Sequence, residues 1–179
     1  MPRESRLEKS YHGIVPAPFH PDIERLTKAL NLAPHPEGGF YRETFRSTTR
    51  IATARGERAA MTTIHYLLPA GTFSAFHRVA ADEVWCHSGG DALELHVASA
   101  TGAHQSLRIG PDPGGGDLPH ATVPAGHWQA ARPLGARYTL ATCVVAPGFQ
   151  FSDFELATRD ELARALPSLA SLVAEFTTR

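Results

Sequence analysis

FSAFHRVAADEVWCHSGGD, residues 73–91, carries the strongest signal for the fold of this chain. His77 and Glu83 flank a short loop in it, and Glu83, Trp85 and His87 then alternate along one predicted strand. Because alternate residues of a strand point to the same side, these last three side chains share a face. The stretch therefore predicts two strands joined by a short loop, with a histidine near a glutamate.

A second stretch, VPAGHWQAA at residues 123–131, has a similar character. Its proline and glycine make a tight entry into a strand. Along that strand, His127, Gln129 and Ala131 share one face. The chain thus has two separate predicted strands, each with polar side chains on one of its faces.

The body of the chain consists of short runs in which apolar and polar residues alternate. The runs are FYRETF, TTIHYLL, EVWCH, ALELHVA, ATVPAG and YTLATCVVA. Turn-rich clusters such as PAGT, SGGD and GPDPGGGD separate them. Short strands without a helix of crossover length between them are typical of antiparallel sandwiches and barrels, because parallel strands need long connections. The pattern predicts an all-β central body.

The two ends of the chain differ from this body. Residues 1–20 are polar and contain three prolines by position 18, so we expect a flexible N-terminal extension. Over residues 21–32, Asp22 as N-cap and apolar residues at helical spacing predict one short amphipathic helix. Helical spacing returns over residues 158–176. We therefore predict a single domain over residues 21–179, with helical segments at both ends.

Composition excludes several classes of partner. The chain has 179 residues, enough for one domain with a self-sufficient core. Lys and Arg number 17 against 18 Asp and Glu, so no basic field attracts nucleic acid or an anionic membrane. No apolar run reaches the roughly 20 residues of a membrane span, and the start lacks the apolar core of a signal peptide. We expect a cytoplasmic protein in which Cys86 and Cys143 are free thiols.

The two quoted stretches resemble the paired motifs of the cupin superfamily, in which three histidines and one glutamate surround a metal. The positions that match are His77, Glu83, Gly90, Pro124 and Gly126. Val79 stands where the second histidine is usual, and Gln129 stands where the third is. The resemblance implies an all-β double-stranded β-helix, the cupin jelly-roll barrel, to which the predicted N-terminal helix and C-terminal helical segment are added.

Six motifs in order resemble the cupin subfamily known as DUF985 or Cupin_5, over residues 24–176. They are HPEGGFYRETFRS at 35–47, FSAFHRV at 73–79, DEVW at 82–85, LELH at 93–96, VPAGHWQAA at 123–131 and VAPGFQFSDFELA at 145–157. The resemblance implies a homodimer with a pocket lined by these motifs. It implies no single reaction, since one fold hosts many functions.

His77 is the centre of the predicted chemistry, and three roles are open to it. It could bind a metal, act as a general base, or hydrogen-bond a buried carboxylate. Without a metal, we predict His77, Glu83 and Tyr66 as catalytic residues, because burial and neighbouring charge tune such groups for proton transfer. With a divalent transition metal, the ligands would be His77, Glu83 and Gln129, although an amide oxygen binds such ions weakly.

Six residues are predicted to bind a ligand. They are Phe76, Arg78, Trp85, His87, Gln129 and Phe149. The aromatic side chains could stack on a flat ring or a sugar face. Arg78 and Arg42 could anchor a phosphate or carboxylate, for which guanidinium geometry is suited. Glu37 and Glu43 face either the pocket mouth or a partner subunit.

Three functions remain open from the sequence. The first is an isomerase or epimerase acting on a sugar or nucleotide sugar, with His77 as base, Glu83 tuning it and Gln129 orienting a substrate oxygen. The second is a metal-dependent oxygenase or lyase. The third is a non-catalytic protein that binds a metabolite. In each case we expect a small-molecule ligand and a homodimer, with neither nucleic acid nor a membrane as partner.

Overall fold

The computed structural model of the chain describes residues 20–178, so most of the predicted N-terminal extension lies outside the described residues. The helices are α1 Pro21–Ala29, α2 Arg159–Ala165 and α3 Ala170–Glu175. The strands are β1 Ala33–Pro34, β2 Phe40–Arg46, β3 Arg50–Thr53, β4 Gly56–Ala59, β5 Thr62–Pro69, β6 Ser74–Val79, β7 Asp82–Gly90, β8 Leu93–Ala98, β9 His104–Ile109, β10 His120–Val123, β11 Trp128–Pro133, β12 Tyr138–Ala146 and β13 Phe154–Leu156. Short 3₁₀ turns at Pro113–Gly115, Phe151–Asp153 and Pro167–Leu169 complete the described elements.

Two antiparallel sheets face each other and form a jelly-roll barrel. The first sheet has the strand order β1-β2-β5-β12-β7-β10, and the second has the order β13-β6-β11-β8-β9. Strands β3 and β4 form a separate hairpin. The all-β barrel with terminal helices that the sequence predicts is confirmed.

Strand β12 shows why the alternating runs fold in this way. Its residues Thr139, Ala141, Cys143 and Val145 are buried, while those between them are partly exposed. The strand pairs with β5 on one side and with β7 on the other, so its buried residues point between the sheets. There they meet side chains of the opposite sheet such as Leu95. Removing this apolar face from water stabilises the pairing of the two sheets.

The two cysteines lie on neighbouring strands but on opposite faces of the first sheet. In the register of β7 and β12, Cys143 is opposite Trp85, and Cys86 is opposite Thr142. Because successive residues of a strand point to opposite sides, Cys143 points into the barrel and Cys86 points away from it. Both are free thiols, as the sequence predicts.

Helix α1 begins before the predicted N-cap. Pro21 is the first helical residue, and the side chain of His20 accepts a hydrogen bond from the amide of Asp22 over 3.3 Å. The prediction that Asp22 caps this helix is therefore wrong, because proline is favoured at the first helical position and moves the cap back to residue 20. Asp22 lies in the first turn instead, where it pairs with Arg25 at 2.8 Å.

The C-terminal helices cover the outer face of the second sheet. Leu162 and Leu166 of the α2 segment and Val173 and Phe176 of the α3 segment pack against Phe76 of β6 in one buried cluster. This cluster lies on the side of the sheet opposite to the barrel interior. Among residues 20–178, no helix is long and apolar enough to cross a membrane.

Candidate active site

A cavity of about 720 Å³ opens between the two sheets. Its interior contains the side chains of Glu37, His77 and Glu83, all of which are buried. Trp85 and Phe154 belong to its aromatic wall. A concave site that combines an apolar wall with a few convergent titratable groups is typical of enzymes and ligand-binding proteins.

His77 is held by both of its ring nitrogens. Nδ1 lies 2.8 Å from the carbonyl oxygen of Ala75, and because a carbonyl only accepts, Nδ1 carries the proton. Nε2 lies 3.2 Å from Oε2 of Glu37. A hydrogen bond between these two atoms needs one further proton, carried by either the imidazole or the carboxyl group. The ring also stacks on Phe154, with 5.4 Å between the ring centroids.

Glu37 reaches the cavity from the loop between β1 and β2. Gly38 has a φ of 113°, and a side chain there would collide with the carbonyl group of Phe73, so the close approach of this loop requires glycine. Ser74 Oγ donates to Oε1 of Glu37 over 2.8 Å. Burial raises the pKa of the Glu37 carboxyl, whereas nearby His35 and the Ser74 hydrogen bond lower it.

Tyr66 fixes the same loop. Its hydroxyl donates to the carbonyl oxygen of Gly38 over 2.8 Å. Burial raises the pKa of this phenol well above its usual value, so it keeps its proton. Tyr66 lines the cavity beside Glu37 and positions the loop that carries this glutamate.

Glu83 is oriented by a chain of two hydrogen bonds that crosses the barrel. The indole Nε1 of Trp85 donates to Oε1 of Gln129 over 2.8 Å. Because an indole only donates, this bond fixes the orientation of the amide, whose Nε2 then donates to Oε2 of Glu83 over 2.6 Å. The three residues therefore form one positioned unit.

The protonation of this cluster is set by burial and by its neighbouring charges. Burial raises the pKa of Glu83 to about 7, although His77 opposes the shift. Burial lowers the pKa of His77, and here Glu83 opposes the shift. Glu83 is therefore a carboxyl group that gains and loses a proton near neutral pH, the range in which a general acid or base is most effective.

Of the nine residues predicted to be catalytic or to bind a ligand or metal, the structure brings five to the cavity wall and leaves four outside it, while Arg42, the other predicted anchor for an anion, also lines the cavity. Tyr66, His77, Glu83, Trp85 and Phe149 line the cavity. Gln129 is fully buried behind the wall, where its amide binds Trp85 and Glu83 and does not face the cavity.

Three predicted ligand-binding residues lie away from the cavity. Phe76 and Arg78 flank His77 on β6, so the alternation of the strand turns both of them outward. Phe76 packs beneath the C-terminal helices, and the guanidinium group of Arg78 lies over the Trp128 ring, 4.6 Å from its centroid. His87 lies further along β7, where its amide donates to the Pro119 carbonyl over 3.0 Å. We do not retain these three residues in the proposed site.

The residues predicted to hold a metal do not fit one as a set. Both ends of the Gln129 amide already have partners, and the oxygen that would bind the ion accepts the Trp85 hydrogen bond. Within residues 20–178, no three His, Cys, Asp or Glu side chains converge on a common metal position. We therefore derive no chemical step through a metal ion.

The sequence left open whether Glu37 faces the pocket mouth or a partner subunit. It also did not single out His35, whose Nδ1 lies 3.3 Å from Oε2 of Glu37. A signal for the role of Glu37 is present in the pair Gly38 and Gly39, since two successive glycines favour a sharp bend or a close backbone approach. What the pattern could not give is the direction of the bend, which sends the Glu37 carboxylate toward His77 from a loop 40 residues earlier in the chain.

The barrel and its interior cluster define the molecule as a cupin. The family model of the cupin superfamily designated DUF985, or Cupin_5, matches residues 24–157, and the chain belongs to this family. The family that the six sequence motifs indicate is therefore confirmed. No curated protein matches the chain.

Solved structures from several organisms are similar to this chain. A hypothetical protein from Leishmania major is 31% identical, with a TM-score of 0.82 over 87% of this chain and 98% of that one. A protein from Shewanella oneidensis is 33% identical, with a TM-score of 0.81 over 87% of this chain and 96% of that one. Oxalate decarboxylase from Bacillus subtilis is 12% identical, with a TM-score of 0.53 over 80% of this chain and 36% of that one, a likeness that shows the fold alone.

Proposed function

We propose that the barrel cavity binds a small hydroxylated carbonyl compound, a sugar or nucleotide sugar, and moves a proton on the carbon next to its carbonyl group. This is the chemistry of an isomerase or epimerase. The observation that carries the proposal is the buried triad of Glu37, His77 and Glu83 in one cavity, with the imidazole in contact with the first carboxylate and electrostatically coupled to the second.

The contacts of the triad favour a division of labour in which Glu83 is the base. Both nitrogens of His77 have partners, whereas Glu83 accepts one hydrogen bond from Gln129 and one from the weakly donating thiol of Cys143, which a substrate can replace. With a pKa of about 7, the Glu83 carboxylate is matched to accept a proton at neutral pH. This role replaces the one predicted from the sequence, in which His77 is the base and Gln129 orients the substrate.

The pair of His77 and Glu37 then serves as the acid. A carbonyl oxygen that takes the place of the Glu37 carboxyl group at Nε2 of His77 accepts the proton held at this contact. At the same time Glu83 removes the proton from the adjacent carbon, so an enediol forms without net gain or loss of protons. Return of a proton to the neighbouring carbon gives an isomer, and return to the opposite face of the same carbon gives an epimer. Groups whose pKa values are shifted by burial are suited to this exchange.

The cavity wall supports a sugar or a flat ring as ligand. Tyr41, Trp85, Phe149, Phe151 and Phe154 all line it. Aromatic faces pack against the apolar faces of sugar rings and against planar bases. The wall and the triad together suit a ligand with one flat face and one enolisable carbonyl group.

Proton exchange with solvent tests this proposal before the substrate is known. A panel of aldoses, ketoses and nucleotide-linked keto sugars is incubated with the protein in ²H₂O, and deuterium incorporation next to the carbonyl is followed by NMR. We expect incorporation into at least one compound, reduced at least a hundredfold in Glu83→Gln, the loss typical of removing a general base. Binding of a sugar without exchange would contradict the proposal and favour a non-catalytic binding protein.

The homodimer and the cytoplasmic location stay predictions. Light scattering at micromolar concentration measures the first, and a mass of one chain would contradict it. Metal content is measured on untagged protein prepared without chelator or nickel resin. About one transition metal per chain, lost in Glu83→Gln, would instead favour the metal-dependent oxygenase or lyase.

A further inference from the structure

Arg42 is an unpaired cation on the wall of the cavity. Tyr41 and Glu43 are opposite the cavity residues Tyr66 and Ile64 and point into the barrel. Arg42 between them starts on the other face of β2, and its long side chain reaches the rim of the cavity beside Leu30. Its guanidinium group makes one long contact, 3.5 Å, to the carbonyl oxygen of Leu30, and within the described part of the chain it pairs with no carboxylate. A guanidinium group without an acidic partner at a cavity wall is available to an anionic ligand group.

The other charges at this end of the cavity cancel each other. We define the mouth as the exposed lining residues Asn31, Ala33, Arg42, Glu43, Arg46, Phe151 and Ser152. Arg46 binds both oxygens of Glu43, at 2.9 and 2.6 Å, and also donates to the Phe149 carbonyl. Arg42 is therefore the charge of the mouth that remains unbalanced.

The mouth favours an anionic group, whereas the interior of the cavity disfavours one. Glu83 is buried there, and its carboxylate form repels a negative group placed beside it in a region of low dielectric constant, whereas the proton between Glu37 and His77 leaves that pair without net charge. The same two carboxyl groups raise no barrier to a neutral carbonyl group. The distribution of charge thus gives an elongated ligand one preferred direction, with its acid outward and its carbonyl inward.

We propose that the ligand is a sugar acid or a sugar phosphate whose anionic group binds Arg42 at the mouth, with its carbonyl end directed to Glu83. Asn31, which also lines the mouth, adds an amide donor for the same group. The direction of the ligand rests on the function proposed above, whereas the preference for an anion does not.

Matched ligand pairs test the preference by calorimetry. The pairs are fructose with fructose 6-phosphate, glucose with glucuronate, and uridine with uridine monophosphate. We expect at least one anionic member to bind about tenfold more tightly than its neutral parent, as one charge-assisted hydrogen bond allows. Preference for a phosphate and preference for a carboxylate are separate outcomes that identify the acid. Equal binding within every pair, or no binding of any anionic member, would overturn the proposal.

Variants assign the preference to Arg42. Arg42→Gln is expected to remove the preference and to leave binding of the neutral parent unchanged, while Arg42→Lys retains part of it. Arg164→Gln is the matched control, because Arg164 is an exposed arginine on α2 that does not line the cavity. The preference should also weaken as salt is added, since the site is exposed. A preference that survives in Arg42→Gln would overturn the assignment.

The two proposals fail in different experiments. Anion preference without deuterium exchange would leave the Arg42 site in place and remove the isomerase function. Exchange into neutral sugars without anion preference would do the reverse. Circular dichroism of each variant shows that a loss of binding is not a loss of fold.

Discussion

His77 and Phe76 are neighbours on β6, yet they belong to different regions of the molecule. His77 points into the cavity and meets Glu37, whereas Phe76 points outward and packs with Phe176 beneath the C-terminal helices. The inner region is polar, titratable and open to a ligand, and the outer region is apolar and closed. One strand thus carries the proposed chemistry on one face and much of the packing of the helices on the other.

The largest expected loss of stability comes from a change in the outer region alone. Phe76→Ala removes a fully buried aromatic ring and should lower the free energy of unfolding by about 4 kcal/mol, since the helices cannot fill the space. Urea unfolding measures this loss. Deuterium exchange per folded molecule should be unchanged, and a variant that keeps its stability but loses exchange would show that the two faces are not separate.

The buried Glu83 of the inner region should make the free energy of unfolding depend on pH. The pKa of Glu83 is raised to about 7 in the folded chain, so the folded state binds its proton more tightly than the unfolded state does. Its contribution to stability is therefore fully present below about pH 4.5 and is lost as the pH rises toward 7, a change of roughly 3 kcal/mol. Urea unfolding at pH 5 and pH 8 measures it.

The other buried groups act on the same curve, so the comparison is made with Glu83→Gln. Burial lowers the pKa of His77, so its contribution to stability is present at high pH and is lost as the pH falls, opposite to that of Glu83. The variant keeps the His77 contribution and removes that of Glu83. If the free energy of unfolding changes equally between pH 5 and pH 8 in the parent chain and in Glu83→Gln, the pKa of Glu83 is not raised.

A smaller loss of stability is expected from removing the hydrogen bond that Trp85 donates to Gln129. Gln129 lies on β11, whose residues face the inner and the outer region in turn. Trp85→Phe leaves Oε1 of Gln129 without its donor, which should cost about 1 to 2 kcal/mol of stability and free the amide to turn away from Glu83. Exchange should then slow. Trp128→Phe is the matched control, because Trp128 points to the outer face and packs there with the helices. Equal effects of both variants on exchange would sink the proposed orienting role of Gln129.

The smallest effect is expected from Arg78 on the outer face. Its ion pair with Glu155 spans 2.7 Å but is exposed to solvent, so Arg78→Ala should change stability by less than about 1 kcal/mol. Neither ligand binding nor exchange should change. Loss of ligand binding in this variant would return Arg78 to the site that the sequence predicts for it.

The sequence predicted the fold well because the alternation of apolar residues is a local signal. Each short run shows which of its residues face the core, and the motifs around His77 and Glu83 identify the family. The same alternation, applied strictly, places Phe76 and Arg78 away from His77. Phe76 was predicted to stack on a ligand and Arg78 to anchor an anionic group, both from residue type, although neighbours of His77 on a strand point away from it.

Local patterns in the amino-acid sequence were enough to predict the all-β barrel, the family and the central place of His77 and Glu83. The tertiary structure decided the partners of these residues. Glu37 reaches His77 from another loop, and Gln129 reaches Glu83 from a strand 46 residues further along the chain. Such contacts depend on strand register and on the direction of a glycine bend, which are set by the packing of distant segments and leave no periodic trace in the local sequence.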